Sequence, residues 1–258
     1  MPSRPARERI LELARKLLSR ATRDRIVRTQ RALRLQWPPV GAVRFGSLRR
    51  LTPISPAFGL DRGQPIDRYY IERFLAARAD DLRGRGLEFG DTTYLDKFGG
   101  DRLTRRDVFS YVAAPGATLV GDLTGPEPVA QGLFDCIVCT QTLQMIFDIE
   151  LAVRRLHAML RPGGVLLATT HGLSKVGRYL GRDGWGEYWH PTRQGVTTLF
   201  ERNFDGEIEV EGYGNVLSAV ASLEGLAASE LETGELDFAD RDFDVVIAVR
   251  ARRRAAAT

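Results

Sequence analysis

Two histidines flank a run of large aromatic residues in the second half of the chain. Imidazole is the side chain that exchanges a proton near neutral pH. His171 opens and His190 closes the stretch HGLSKVGRYLGRDGWGEYWH, with Tyr179, Trp185, Tyr188 and Trp189 between them. Either histidine could take the proton of an acceptor hydroxyl, His190 being favoured because it adjoins the aromatics. The rings could form an apolar wall with polar edges that orients the acceptor. The plainer alternative is structural: polar contacts for the histidines and packing for the rings. His157 sits in an amphipathic stretch and reads as structural or surface, and the three histidines show no metal-ligand spacing, so no metal is expected. Cys136 and Cys139 fall in an apolar strand, where positions three apart face opposite sides, so they read as buried small hydrophobes.

A second group combines glycine, carboxylates and amides. Gly90 follows the apolar run of LEF, Asp107 stands 17 residues later, and Asp122 closes ATLVGD. A carboxylate offers several acceptor sites to hydroxyl or amine donors. Thr140, Gln141 and Thr142 follow FDCIVC, and Gln141 can both donate and accept.

These residues must be positioned by short elements. The apolar runs at Leu87–Phe89, in ATLVGD, at Phe134–Cys139 and in GGVLLAT are bounded by turn signals and separated by helical stretches. Such runs predict parallel strands buried on both faces, with ligands at their carboxyl ends. PIDRYYIERFLAARADDL reads as a helix with Tyr70, Ile71, Phe74 and Leu75 inward, and residues 148–160 as a helix that opens with acidic residues. RLTRRDVFS is a weak strand with Asp107 near its end. TRQGVTTLFERNF predicts a helix, EIEVEGYG and DFDVVIAVRARR two further strands, and NVLSAVASLEGLAASELETGEL a helix followed by an acidic linker.

Leu87-Glu88-Phe89-Gly90-Asp91, Gly121-Asp122-Leu123, Phe134–Cys139 and Leu160-Arg161-Pro162-Gly163-Gly164-Val165-Leu166 together resemble the motifs of class I S-adenosylmethionine-dependent methyltransferases, from about Gly84 to Thr170. The resemblance implies an α/β fold with a Rossmann-like sheet of seven strands, mostly parallel with an antiparallel final strand, and S-adenosyl-L-methionine as cofactor. It places Glu88, Gly90, Asp91, Thr140 and Gln141 around the cofactor, Asp107 on the ribose hydroxyls, and Asp122 with Leu123 at the adenine. Tyr70 or Tyr69 would flank the methionine part, with Arg68 a weaker candidate for its carboxylate. The first motif departs from the family pattern because only Gly90 lies in the turn. That tells against a dinucleotide, whose pyrophosphate needs successive glycines.

Composition bounds the rest. At 258 residues and 43% apolar, the chain can bury one large core. Residues 1–50 carry 14 basic and 3 acidic side chains, leaving 23 and 30 to the remainder. The basic start has apolar stripes at helical spacing, including Ile10, Leu13, Leu17, Ile26 and Leu33. It reads as helices packing over a domain, so nucleic acid is not the expected partner. The expected division is a basic helical extension and irregular connection over 1–60, with a short edge strand at Val43 and Phe45. The methyltransferase domain covers 61–250, with a substrate-facing insertion around 171–195, and a flexible tail covers 251–258. No run of eighteen apolar residues occurs, so no membrane insertion is expected, and the start lacks a signal-peptide pattern, which reads as cytoplasmic. The expected partner is a small-molecule acceptor, and a homodimer is left open. The expected function is O-methylation of a small hydroxylated metabolite or sugar. The competing classes are a cofactor-binding or partner-binding protein of the same fold without turnover, and a nucleic-acid methyltransferase.

Overall fold

The run FDCIVCT is apolar on both sides of an extended chain, and it can be buried only if layers cover both faces of its sheet. The computed structural model describes residues 13, 17–33, 38–127, 129–177 and 186–256. The chain divides into two units, Met1–Leu51 and Thr52–Thr258. In the second unit FDCIVCT is β4 (Phe134–Thr140) of a sheet that also contains β1 (Gly84–Phe89), β2 (Leu103–Ser110), β3 (Leu119–Val120), β5 (Leu160–His171), β6 (Ile208–Tyr213) and β7 (Val246–Arg252). The seven strands run in the order β3-β2-β1-β4-β5-β7-β6. β1 to β5 are parallel, and β7 lies antiparallel between β5 and β6, as the resemblance implies.

Each face of the sheet carries its own core. Cys136 and Val138 point to one side, where Ile66, Tyr70, Ile71, Phe74 and Leu75 of the helix Ile66–Ala77 pack with Ala219 of the helix Val216–Glu224. Ile137 and Cys139 point to the other, against Ala152, Val153 and Leu156 of the helix Ile149–Met159 and Val196 and Phe200 of the helix Arg193–Asn203. Removing a ring as buried as Phe74, at 1% exposure, costs about 3–5 kcal/mol. The two cysteines are free and belong to opposite cores, and burial pushes both thiols up to about 12. Caps follow the sequence. Asp148 accepts from the Leu151 N–H, and Asn215 with Ser218 forms a capping box.

Three expectations are corrected. Residues 52–60 belong to the larger unit, because the Ser55 N–H donates to the Glu224 carbonyl and a Cβ on Gly59 would meet backbone of Leu226. β7 continues through Ala251 and Arg252, and Arg253 donates to the carbonyls of Gly164 and Leu160, so the ordered chain passes the predicted start of the tail. Val43 and Phe45 form no strand. The smaller unit holds the helix Arg20–Ala32 and a short turn at Gly46–Leu48. None of the described helices is long and apolar enough to cross a membrane.

Candidate functional site

The strand order reverses between β1 and β4, and at such a point the loops at the carboxyl ends diverge and leave a crevice. A cavity of about 480 Å³ opens there, lined by Gly90 after β1, Ser110 and Tyr111 at the end of β2, Asp122 and Leu123 after β3, and Thr142, Met145 and Phe147 after β4. Gly90 adopts φ +92, which L side chains rarely take, and no atom lies within 4 Å of the place a Cβ would fill. Its backbone is therefore bare toward a ligand. Asp122 uses Oδ1 to accept from both the N–H (2.7 Å) and hydroxyl (2.8 Å) of Thr124, which leaves Oδ2 open to a donor. Leu123 beside it is 3% exposed.

A second groove, of about 240 Å³, adjoins the first at Met145, which lines both. Its polar wall includes Arg68, Gln141, Gln144, His171, Lys175 and Glu187. Gln141 stands at φ +48, a left-handed conformation that costs a non-glycine residue of order 1 kcal/mol and marks a constrained position. Its N–H donates to the Thr169 carbonyl (2.8 Å) and its Oε1 accepts from Gln144 Nε2 (2.9 Å). Gln144 in turn accepts at Oε1 from the Thr170 hydroxyl and faces His171 Nδ1 at 3.4 Å. Its carbonyl holds the N–H groups of Tyr188 and Trp189 at 2.9 and 3.3 Å.

The Glu187 side chain is 1% exposed, its Oε2 accepts from the Gly177 N–H, and its Oε1 touches His171 Nε2 and lies 3.7 Å from His190 Nε2. Burial and the nearby His190 push His171 down to about 4. Gln141 Nε2, Thr169 Oγ1, His171 Nε2 and Glu187 Oε1 are buried and make no hydrogen bond among the described residues. Buried polar atoms left this way are rare in folded proteins, and these four share one end of β4 and β5, the others among the described residues being arginine Nε atoms elsewhere.

Several sequence-predicted residues sit elsewhere. Asp107 lies in mid-strand, fully buried, and its carboxylate accepts from Arg85 Nε (2.6 Å) and Arg105 Nη2 (3.0 Å). The end of β2 is Ser110, so the position the ribose role required is filled by Ser110 and Tyr111. Burial raises the Asp107 carboxyl, but the hydrogen bonds led by Arg85 outweigh it and hold the group below its ordinary value. Tyr70 is a core ring stacked on Tyr213, with its hydroxyl on the Leu236 carbonyl. The first turn of its helix meets the groove through Asp67 and Arg68 instead. Glu88 turns inward and accepts from the N–H groups of Tyr94 and Leu95. Burial pushes it up to about 7 against those bonds. Asp91 is exposed and folds onto the Thr93 N–H, and Thr140 ends β4 with its carbonyl on the Thr142 hydroxyl.

His190 is exposed and opens onto a different groove, with Arg193 and Asp244, so His171 is the histidine facing Gln141. Tyr179 and Trp185 lie outside the described residues. Tyr188 lines the crevice. Trp189 is fixed by its indole N–H to the carbonyls of Ile146 (3.0 Å) and Phe147 (3.2 Å). Sequence reasoning missed Glu187, Gln144 and Phe147. Phe147 packs edge-on to Tyr188 and stacks with Trp189. The Glu187 to His190 spacing of three residues was the available signal. The absence of histidine clustering is also corrected, because the fold brings the rings of His171 and His190 to 4.5 Å.

Residues 66–216 match the family model described as a methyltransferase domain. Among solved structures, the chain is similar to the N-methyltransferase NodS from Bradyrhizobium japonicum, at 15% identity over 78% of this chain and 94% of that one, with a TM-score of 0.48. It is also similar to an S-adenosylmethionine-dependent methyltransferase from Mesorhizobium loti, at 18% identity over 76% and 100%, with a TM-score of 0.46. No curated protein matches the sequence.

Proposed function

Because the chain belongs to the class I S-adenosylmethionine-dependent methyltransferase family, we propose that it methylates a hydroxyl of a small polar acceptor. The crevice residues fit the cofactor. Its volume lies in the range of small-molecule sites, Gly90 leaves backbone bare, and Asp122 Oδ2 with Leu123 offers an acceptor beside an apolar surface to an adenine. Ser110 and Tyr111 stand where the ribose would be held. When bound, S-adenosylmethionine supplies an electrophilic methyl carbon on a sulfonium sulfur, so that an acceptor oxygen forms a C–O bond as the C–S bond breaks and the hydroxyl proton is lost.

The chain's own residues then align the acceptor and receive what it loses. Gln141, half-buried, and Gln144, buried, are amides fixed by backbone and by each other, and they orient polar groups at little entropic cost. The proton of the acceptor leaves toward the cluster of His171 and Glu187, which forms the inner wall of the groove. Phe147 and Tyr188 cover the crevice and keep water from it.

The adjoining of the two grooves at Met145, one suited to the cofactor and the other ending in the buried polar cluster of His171 and Glu187, carries this reading. It is tested by incubating the protein with isotopically labelled S-adenosylmethionine and a panel of hydroxylated metabolites and sugars. A labelled methyl ether by mass spectrometry is the expected product. Products methylated only at nitrogen or carbon would overturn the oxygen acceptor, and no cofactor binding at millimolar concentration by calorimetry would overturn the whole reading.

A further inference from the structure

We infer that His171, Glu187 and His190 form a binding site for one divalent first-row transition cation of the zinc class. One ligand atom from each of the three residues lies within 4.8 Å of the other two, and Glu187 Oε1 faces Nε2 of both histidines. An ion bound at about 2.0–2.2 Å from nitrogen and oxygen ligands holds those ligands roughly 3–4 Å apart. Glu187 and His190 stand at 3.7 Å already, and His171 and Glu187, now in contact, separate as an ion enters.

Two of the three donor atoms contact nothing but the cluster itself among the described residues. His171 Nε2 and Glu187 Oε1 are buried, on side chains 10% and 1% exposed, and neither makes a hydrogen bond among the described residues. The surroundings also match what a ligand set requires. Glu187 Oε2 is held by the Gly177 N–H, which aims Oε1 at the histidines. Gln144 faces His171 Nδ1. The amide Nε2 is the atom on that side, at 3.4 Å, and the ring turns its own Nε2 to Glu187. The ligands rest on fixed elements, since His171 ends β5 and His190 precedes the helix cap Thr192 by two residues.

Two imidazoles and one carboxylate select zinc, iron or nickel over magnesium or calcium, which prefer all-oxygen shells. Three protein ligands leave a coordination position open, and His171 and Glu187 line the groove that Gln141 shares. Binding of the ion stands apart from the methyl-transfer reading. Its use rests on that reading: a cation there would acidify an acceptor hydroxyl, and the proton would leave to solvent, with His171 and Glu187 acting as ligands in place of a base.

The test uses the full-length protein, treated with a chelator, dialysed, and titrated with Zn²⁺ by calorimetry and with Co²⁺ by visible absorption. One equivalent should bind, with the intense bands of four- or five-coordinate cobalt. Glu187→Gln and His190→Ala should each weaken binding by at least roughly 100-fold, whereas His157→Ala, whose imidazole pairs with Asp205 elsewhere, should leave it unchanged. His190 is exposed, so its variant keeps the fold even if Glu187→Gln does not, as circular dichroism would show. Failure of the wild type to bind an equivalent, or affinity undiminished in the folded variants, overturns the site and means that Glu187 only bridges two imidazoles. Neither readout needs S-adenosylmethionine or an acceptor, so loss of one proposal leaves the other standing.

Discussion

Asp122 and Asp107 are both aspartates in the same half of the sheet, and their surroundings give them opposite work. Asp122 keeps Oδ1 for its own turn and presents Oδ2 to the crevice. Asp122→Asn preserves the turn and replaces the free oxygen by a donor, so affinity for S-adenosylhomocysteine should fall about tenfold, equivalent to ~1.4 kcal/mol, by isothermal titration. An unchanged affinity would remove Asp122 from the adenine site. Asp107 instead neutralises Arg85 and Arg105 from within the sheet. Asp107→Ala should lower folding stability by about 2–3 kcal/mol, less than the full cost of breaking a buried pair because Arg105 is largely solvated. The folded variant should bind cofactor as the wild type does, and a selective loss of affinity would restore the ribose role.

At the scale of elements, the segment after β1 is held by Glu88 rather than by a row of glycines. Its carboxylate gathers the N–H groups of Tyr94 and Leu95 at the start of the π-helical turn Leu95–Gly99, which compensates for the glycine-poor first motif. Burial raises Glu88 from 4.5 to about 7, so between those values the folded state keeps a proton that the unfolded chain releases. This group therefore stabilises the fold below pH 4.5, and the contribution is lost as pH rises through about 7. Glu88→Gln should flatten that fall, changing the pH dependence of stability by roughly 3 kcal/mol at most across the window. Denaturant unfolding at several pH values checks it. The difference between variant and wild type isolates Glu88 from His171, whose lowered value makes stability rise with pH from about 4 upward. A difference curve that does not change with pH would show that Glu88 is ionised throughout.

For the whole molecule, every residue lining the crevice and its adjoining groove belongs to the unit Thr52–Thr258. A chain starting at Thr52 should retain affinity for S-adenosylhomocysteine within about twofold, a difference well under 1 kcal/mol. A tenfold loss by titration calorimetry would show that the basic first unit contributes to cofactor binding.

The order of buried runs in the chain was enough to determine the parallel strands and the place of Gly90 and Asp122 at strand ends, while the antiparallel final strand came with the family resemblance. The parallel strands, Gly90 and Asp122 depend on local pattern: two-sided apolar strands, a turn glycine, a carboxylate just past a strand end. Asp107 shows where pattern ends. A charged residue in RLTRRDVFS looks like a strand terminus until Arg85, 22 positions away, arrives to neutralise it in mid-strand. Tyr70 likewise matched a helix beside the cofactor, but only the packing of β6 decided that Tyr213 would cover its ring. The meeting of His171, Glu187 and His190 was decided by tertiary structure alone. Gln144 holds the Tyr188 and Trp189 backbone against the ends of β4 and β5, and that long-range tether buries a carboxylate between two imidazoles.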